Sequence, residues 1–198
     1  MSQINYDTGY ERMKALATEM IAARNRNEAT TRLQLIDRLL FDCLGWARED
    51  ADLEDHESGQ YADYVLPQHP RRLVVEAKRE GATFDLPTGL ARISDLDALH
   101  GLGGLIADAL AQVEAYARDR GVPYAAVCNG HQLIAFVASR QDGIAPRQGK
   151  ALVFGSPEAM VEDFNELWQA LNPAGCASMS LSRALGGPSR ARPPKLSD

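Results

Sequence analysis

The apolar positions of the chain change period several times, and each change marks an element. Residues 9–25 repeat Met13, Leu16, Ala17, Met20 and Ile21 at helical spacing. Leu35, Ile36, Leu39, Leu40, Cys43 and Leu44 do the same over 28–44, with Asn27 placed as an N-cap and Gly45 as a stop. The period then shortens. Residues 61–66 (YADYVL) and 72–78 (RLVVEAK) read as strands separated by a short Pro-containing turn. Residues 80–103 carry Pro87, Gly81, Gly89, Gly101 and Gly103 and read as a long loop with one helical turn. A third helix is expected over 104–120, ended by Gly121. Strands follow at 123–128 and 132–138 around the turn signal Asn129-Gly130, then a strand at 150–154 and a helix at 157–170. From Pro173 onward Ser, Pro, Gly and Arg dominate, which predicts a linker or tail. The predicted domains are therefore 1–171, folded, and 172–198, a tail. The order of elements predicts an α/β (α+β) fold, a mixed sheet with helices on both faces.

The 198 residues and 45% apolar composition suit one domain with a core of its own. The net charge is −6. Residues 172–198 hold Arg183, Arg190, Arg192 and Lys195 against Asp198, or +3, so residues 1–171 carry −9. Nucleic-acid binding by that part needs a local basic surface or a metal ion, not bulk charge. The acidic run 49–57 (EDADLEDHE) reads as a solvated edge with a short strand near Asp50–Glu54, and Glu54 is its member best placed to reach a site. Cys43, Cys128 and Cys176 are too scattered for a disulfide framework or a zinc site, which points to a reducing, cytoplasmic setting. His56, His69, His100 and His131 lack ligand spacing, and His131, beside a turn, is expected to be exposed. The opening MSQINYDTGYERMK is too polar for a signal peptide, and no run of about 18 apolar residues predicts a membrane span.

The chemistry concentrates in the strand pair. Glu76 and Lys78 share one face of their strand, and Leu73, Val75 and Ala77 share the other. Asp63 lies thirteen positions before Glu76, across a short turn, so pairing of the strands brings it close to both charges. Two carboxylates and a lysine at one sheet end suit a hard cation held by oxygen ligands and a phosphate beside it. A plain ion pair between Glu76 and Lys78 is the competing account.

Asp63 followed by Glu76-Ala77-Lys78 resembles the PD-(D/E)xK nuclease motif. Three further stretches resemble the N-terminal nuclease domain of type I restriction enzyme R subunits. They are NEATTRLQLIDRLLFDCLGW, the pair YADYVL and VVEAKR, and QVEAYA followed by VPYAAVCNGHQLIAF. Together they span residues 27–138, the expected catalytic core. Ala62 stands where that motif has Pro, and Cys128 where Thr is expected before Asn129-Gly130.

The resemblance implies a restriction-endonuclease-like fold and Mg²⁺- or Mn²⁺-dependent cleavage of DNA, in restriction or defence against foreign DNA. Asp63, Glu76, the Ala77 carbonyl and Glu28 would hold the metal, and Lys78 and Gln112 would complete the catalytic set. Glu28 continues the apolar stripe of its helix and is expected to point inward, although a helix N-terminus favours a carboxylate anyway. Arg32, one turn on, is a partner for Glu28 or a phosphate. Gln112 and Tyr116 stand one turn apart on a helix and either serve the site or satisfy core hydrogen bonds. Arg71, Arg72, Arg79 and Tyr116 are the expected nucleic-acid contacts, with ordinary solvated charge as the alternative for the arginines. Relatives carry an ATPase or motor, and no GxxxxGK[ST] loop occurs here, so such a partner would be a separate domain or subunit. Rival expectations are a catalytically silent nucleic-acid-binding or assembly module of the same fold, and an RNA-directed nuclease.

Overall fold

The structure is a computed structural model in which residues 4–22, 26–57, 60–67, 69–140 and 143–186 are described. Its strands are β1 (Asp52–Glu57), β2 (Gln60–Leu66), β3 (Leu73–Ala77), β4 (Ile93–Asp95), β5 (Tyr124–Cys128), β6 (Leu133–Val137) and β7 (Lys150–Phe154). They form one mixed sheet in the order β1-β2-β3-β5-β6-β7-β4. Only β3 and β5 run parallel, with Glu76 opposite Val127 and Ala77 opposite Cys128; every other pairing is antiparallel. All residues of β3, β5 and β6 are buried, because these strands lie inside the sheet and helices cover both faces.

One face packs Tyr64, Leu66, Leu73, Val75 and Ala77 against α1 (Tyr6–Ile21) and α2 (Glu28–Thr31) with its continuation. The opposite face packs Val65, Val74, Val127 and Phe136 against α3 (Leu96–Gly101) and α4 (Gly104–Arg120). The expected helix 28–44 is present with the expected ends. The Asn27 side chain accepts a hydrogen bond from Thr30 N at 2.8 Å, and Gly45 adopts φ +80°. Beyond Thr31 its turns widen to π-helical geometry over Arg32–Ile36 and Arg38–Cys43, which hydrophobic spacing does not reveal.

Three expectations need correction. The region 80–103 holds, beside the expected helical turn (α3), a strand, β4, that the loop reading left out. The strand has only three residues, of which Ser94 alone is buried, and it pairs with β7 far along the chain. No local period can signal such an edge strand. The helix expected at 157–170 breaks at Asp163 into α5 (Pro157–Glu162) and α6 (Phe164–Leu171). The chain beyond Pro173 does not leave the fold at once. It forms α7 (Pro173–Ala177) and α8 (Ser180–Ala184), and buries Cys176, Leu181 and Leu185 in the core. Trp46 Nε1 donates to Leu171 O at 2.9 Å, and Tyr124 Oη meets Ser182 Oγ at 3.2 Å, so this end is fastened to the sheet. Its Ser/Gly composition hid three well-spaced apolar anchors. The rest of the expected tail, 187–198, lies outside the described residues.

The three cysteines are free and buried, and burial pushes each thiol up to about 12. They are core residues, not nucleophiles.

Candidate active site

The antiparallel ladder between β2 and β3 runs through Leu66–Leu73, Val65–Val74 and Tyr64–Val75, so the next opposed pair is Asp63 and Glu76. There the ladder gives way to a side chain: Asp63 Oδ2 accepts a hydrogen bond from Ala77 N at 2.7 Å. β2 remains paired with β1, while β3 continues beside β5 and Lys78 N donates to Cys128 O at 2.8 Å. The two strands thus part company at a fork, and the carboxylates sit at it. Leu73, Val75 and Ala77 hold β3 on one core, which turns Val74, Glu76 and Lys78 toward α4. Lys78 Nζ donates to Glu76 Oε1 at 2.5 Å and to Gln112 Oε1 on α4 at 3.4 Å. Asp63, Glu76, Lys78 and Gln112 are therefore brought together.

Asp63 has a second partner. Arg32 Nη1 stands 3.3 Å from its Oδ1, and the guanidinium lies over the Tyr64 ring at 5.2 Å. Tyr64 Oη donates to Asp37 Oδ1 at 2.7 Å, which anchors that ring to the widened helix. Glu28, one turn before Arg32, is exposed instead of pointing inward: it occupies the first helical turn, where the stripe has not yet met the sheet. Its charge nonetheless reaches Glu76. Glu54 falls opposite Asp63 in the β1–β2 register, between Leu53–Tyr64 and Asp55–Ala62; its side chain lies outside the described residues.

The expected nucleic-acid contacts do not form one surface. Arg79 is exposed and adjoins Lys78. Arg71 and Arg72 precede β3, so Arg72 is about 13 Å of strand away from Glu76. Arg72 lines a cavity of about 770 Å³ with Trp46, Arg48, Pro67 and Pro70 at that far end. Tyr116 is 1% exposed, with the Arg120 guanidinium 5.5 Å from its ring centre, and presents no surface to a nucleic acid. Gln112, one turn earlier on α4, is exposed at the fork. Tyr116 lies within the buried face of α4, with Ile106, Ala109, Leu110 and Val113, and Gln112 lies at its exposed margin.

Glu76 is 4% exposed, and its carboxyl is pushed up to about 7. Burial is the main cause; Lys78 pulls the other way, and the charges of Asp63 and Glu28 add to the rise. Lys78 and Arg32 match the two carboxylates of the fork one for one, and exposed Glu28 adds its charge from nearby. Among the described residues no three His, Cys, Asp or Glu side chains form a ready ligand cluster. The donors on offer are the Asp63 and Glu76 carboxylates and the Ala77 carbonyl. They are all oxygen, two of them are carboxylates, and they suit a hard divalent cation that keeps several waters.

The sequence pattern did not single out Arg26 and Glu80. Glu80 accepts from Arg26 N at 2.8 Å and from Arg26 Nη1 at 2.6 Å, and its own N donates to Thr31 Oγ1 at 2.9 Å. His131 Nε2 lies 3.0 Å from Glu80 Oε1, so His131 is partly buried, not exposed as expected. This cluster fastens the start of α2 to the segment leaving β3, two residues past Lys78. The polar alternation Lys78, Glu80 was its only trace in the sequence. Comparison with protein-family models, with curated proteins and with solved structures finds no match to this chain. Among the described residues no helix is long and apolar enough to cross a membrane.

Proposed function

We propose that the chain is a metal-dependent phosphodiesterase: a DNA endonuclease domain of restriction-endonuclease-like fold, acting in restriction or defence beside an NTPase motor. One observation carries this reading. Asp63, Glu76 and Lys78 converge where two strands fork, with the Glu76 carboxylate buried beside a second carboxylate. An ordinary surface ion pair between Glu76 and Lys78 needs neither burial nor a second carboxylate.

Asp63, Glu76 and the Ala77 carbonyl would hold Mg²⁺ or Mn²⁺, with Glu28 adding charge from the helix start. The ion would neutralise phosphate charge and make water a better nucleophile. Lys78, already seated between Glu76 and Gln112, would orient the attacking water and stabilise charge on the phosphate. Gln112 would hold the lysine from the helix side. Arg79 supplies an exposed cation beside the fork. The −9 carried by residues 1–171 makes DNA affinity without metal or partner weak and salt-sensitive.

A second reading has one observation in its favour. Both Asp63 oxygens are engaged, by Arg32 and by Ala77 N, which also suits a silent module of the same fold that binds nucleic acid or assembles with a partner. Plasmid, linear DNA and RNA incubated with Mg²⁺, Mn²⁺ or chelator separate the two. Metal-dependent cleavage of DNA, abolished by Lys78→Ala and by Asp63→Ala, is the expected result. Cleavage surviving both substitutions refutes the mechanism. An absence of cleavage, even with an NTPase partner and NTP, favours the silent module, and preference for RNA redirects the substrate.

A further inference from the structure

We infer that Arg32 is a displaceable counter-ion of Asp63: it occupies the carboxylate until a divalent cation arrives and is then released toward the phosphate. The inference rests on the metal-site reading above and goes beyond it, since it makes cation and phosphate binding one coupled event. Its basis is the position of Arg32. The guanidinium stands 3.3 Å from Asp63 Oδ1, while Oδ2 is taken by Ala77 N, so Oδ1 is the oxygen for which cation and guanidinium compete. Both side chains are 18% exposed, enough for the contact to break without opening the core. The Tyr64 ring lies under the guanidinium, and Asp37 holds that ring by its hydroxyl. The guanidinium also bonds the Tyr64 side chain, so loss of the Asp63 contact leaves the arginine held at the fork by Tyr64 and still charged. A guanidinium matches phosphate oxygens with paired N–H groups, which a compact ammonium does not.

Competition and coupling make opposite predictions for two ligands, and this sets the test. Mn²⁺ binding to the full chain is measured by titration calorimetry for the natural protein, Arg32→Gln, Arg32→Lys and Asp63→Ala. Binding of a hydrolysis-resistant phosphorothioate duplex is measured with and without Mn²⁺. Removing a half-buried competing charge is expected to tighten Mn²⁺ about fivefold in Arg32→Gln. Arg32→Lys, which retains the charge, is expected to stay near the natural affinity. The gain in duplex affinity that Mn²⁺ confers on the natural protein is expected to shrink in Arg32→Gln, because linked equilibria are reciprocal. Unchanged or weaker Mn²⁺ binding in Arg32→Gln, with binding still dependent on Asp63, overturns the role of Arg32 and leaves the metal site standing. Equal tightening in Arg32→Gln and Arg32→Lys also overturns it, since charge is then not the cause. Mn²⁺ binding that survives Asp63→Ala overturns the metal site itself.

Discussion

Glu76→Gln should make the protein more stable above neutral pH and, on the proposed mechanism, abolish cleavage. In the folded chain the Glu76 carboxyl is pushed from 4.5 to about 7, chiefly by burial. A group raised in this way favours the folded state while it is protonated. Its stabilising contribution is complete below pH 4.5 and is lost as pH climbs through 7. At about 1.4 kcal/mol per pH unit, ionised Glu76 costs the fold about 3 kcal/mol at pH 8. Glutamine keeps the shape and carries no charge, so it avoids that cost. The attraction of Lys78, whose side chain is 18% exposed, is already contained in that shift and adds no separate cost. The net expectation is a gain of about 3 kcal/mol at pH 8, or about 6–12 °C in Tm for a domain of this size. The gain should vanish toward pH 4.5. Thermal and urea melts of both proteins in chelator, from pH 4.5 to 8.5, measure it. On the proposed metal site, saturating Mn²⁺ should narrow the gap, because an ion held by that carboxylate would stabilise only the chain that has it. A gap that does not change with pH, or a natural protein more stable than Glu76→Gln at pH 8, refutes the reasoning.

Glu80→Ala leaves the Arg26 guanidinium buried without its carboxylate and should cost about 3–5 kcal/mol in urea unfolding. Leu181→Ala should cost about 2–4 kcal/mol, because α8 is part of the core; a change below 0.5 kcal/mol would restore the view of that segment as a tail. Gly130→Ala should destabilise by about 2 kcal/mol or more, since Gly130 has φ +84° and a Cβ there would stand 2.6 Å from Leu35 Cδ1. Thermal melts read all three.

The apolar periods alone account for α1, the continuation of α2, α4, β2, β3, β5, β6 and β7, because each of these buries a regular stripe or most of a strand in the two cores. The alternation in LVVEAK likewise settled which face Glu76 and Lys78 share, since strand geometry leaves no other choice. The tertiary structure decided everything that depends on partners distant in the chain. β4 exists only through β7, and α7 and α8 exist only because Cys176, Leu181 and Leu185 find the core. Arg32 turned out to belong to Asp63, and Glu80 to Arg26 and His131, since an ion pair is chosen by proximity in space and leaves no period behind. Glu28 and Gln112, both exposed, mark the same limit from the other side. Spacing places a residue on a face of its helix, and only packing decides whether that face is covered at that turn.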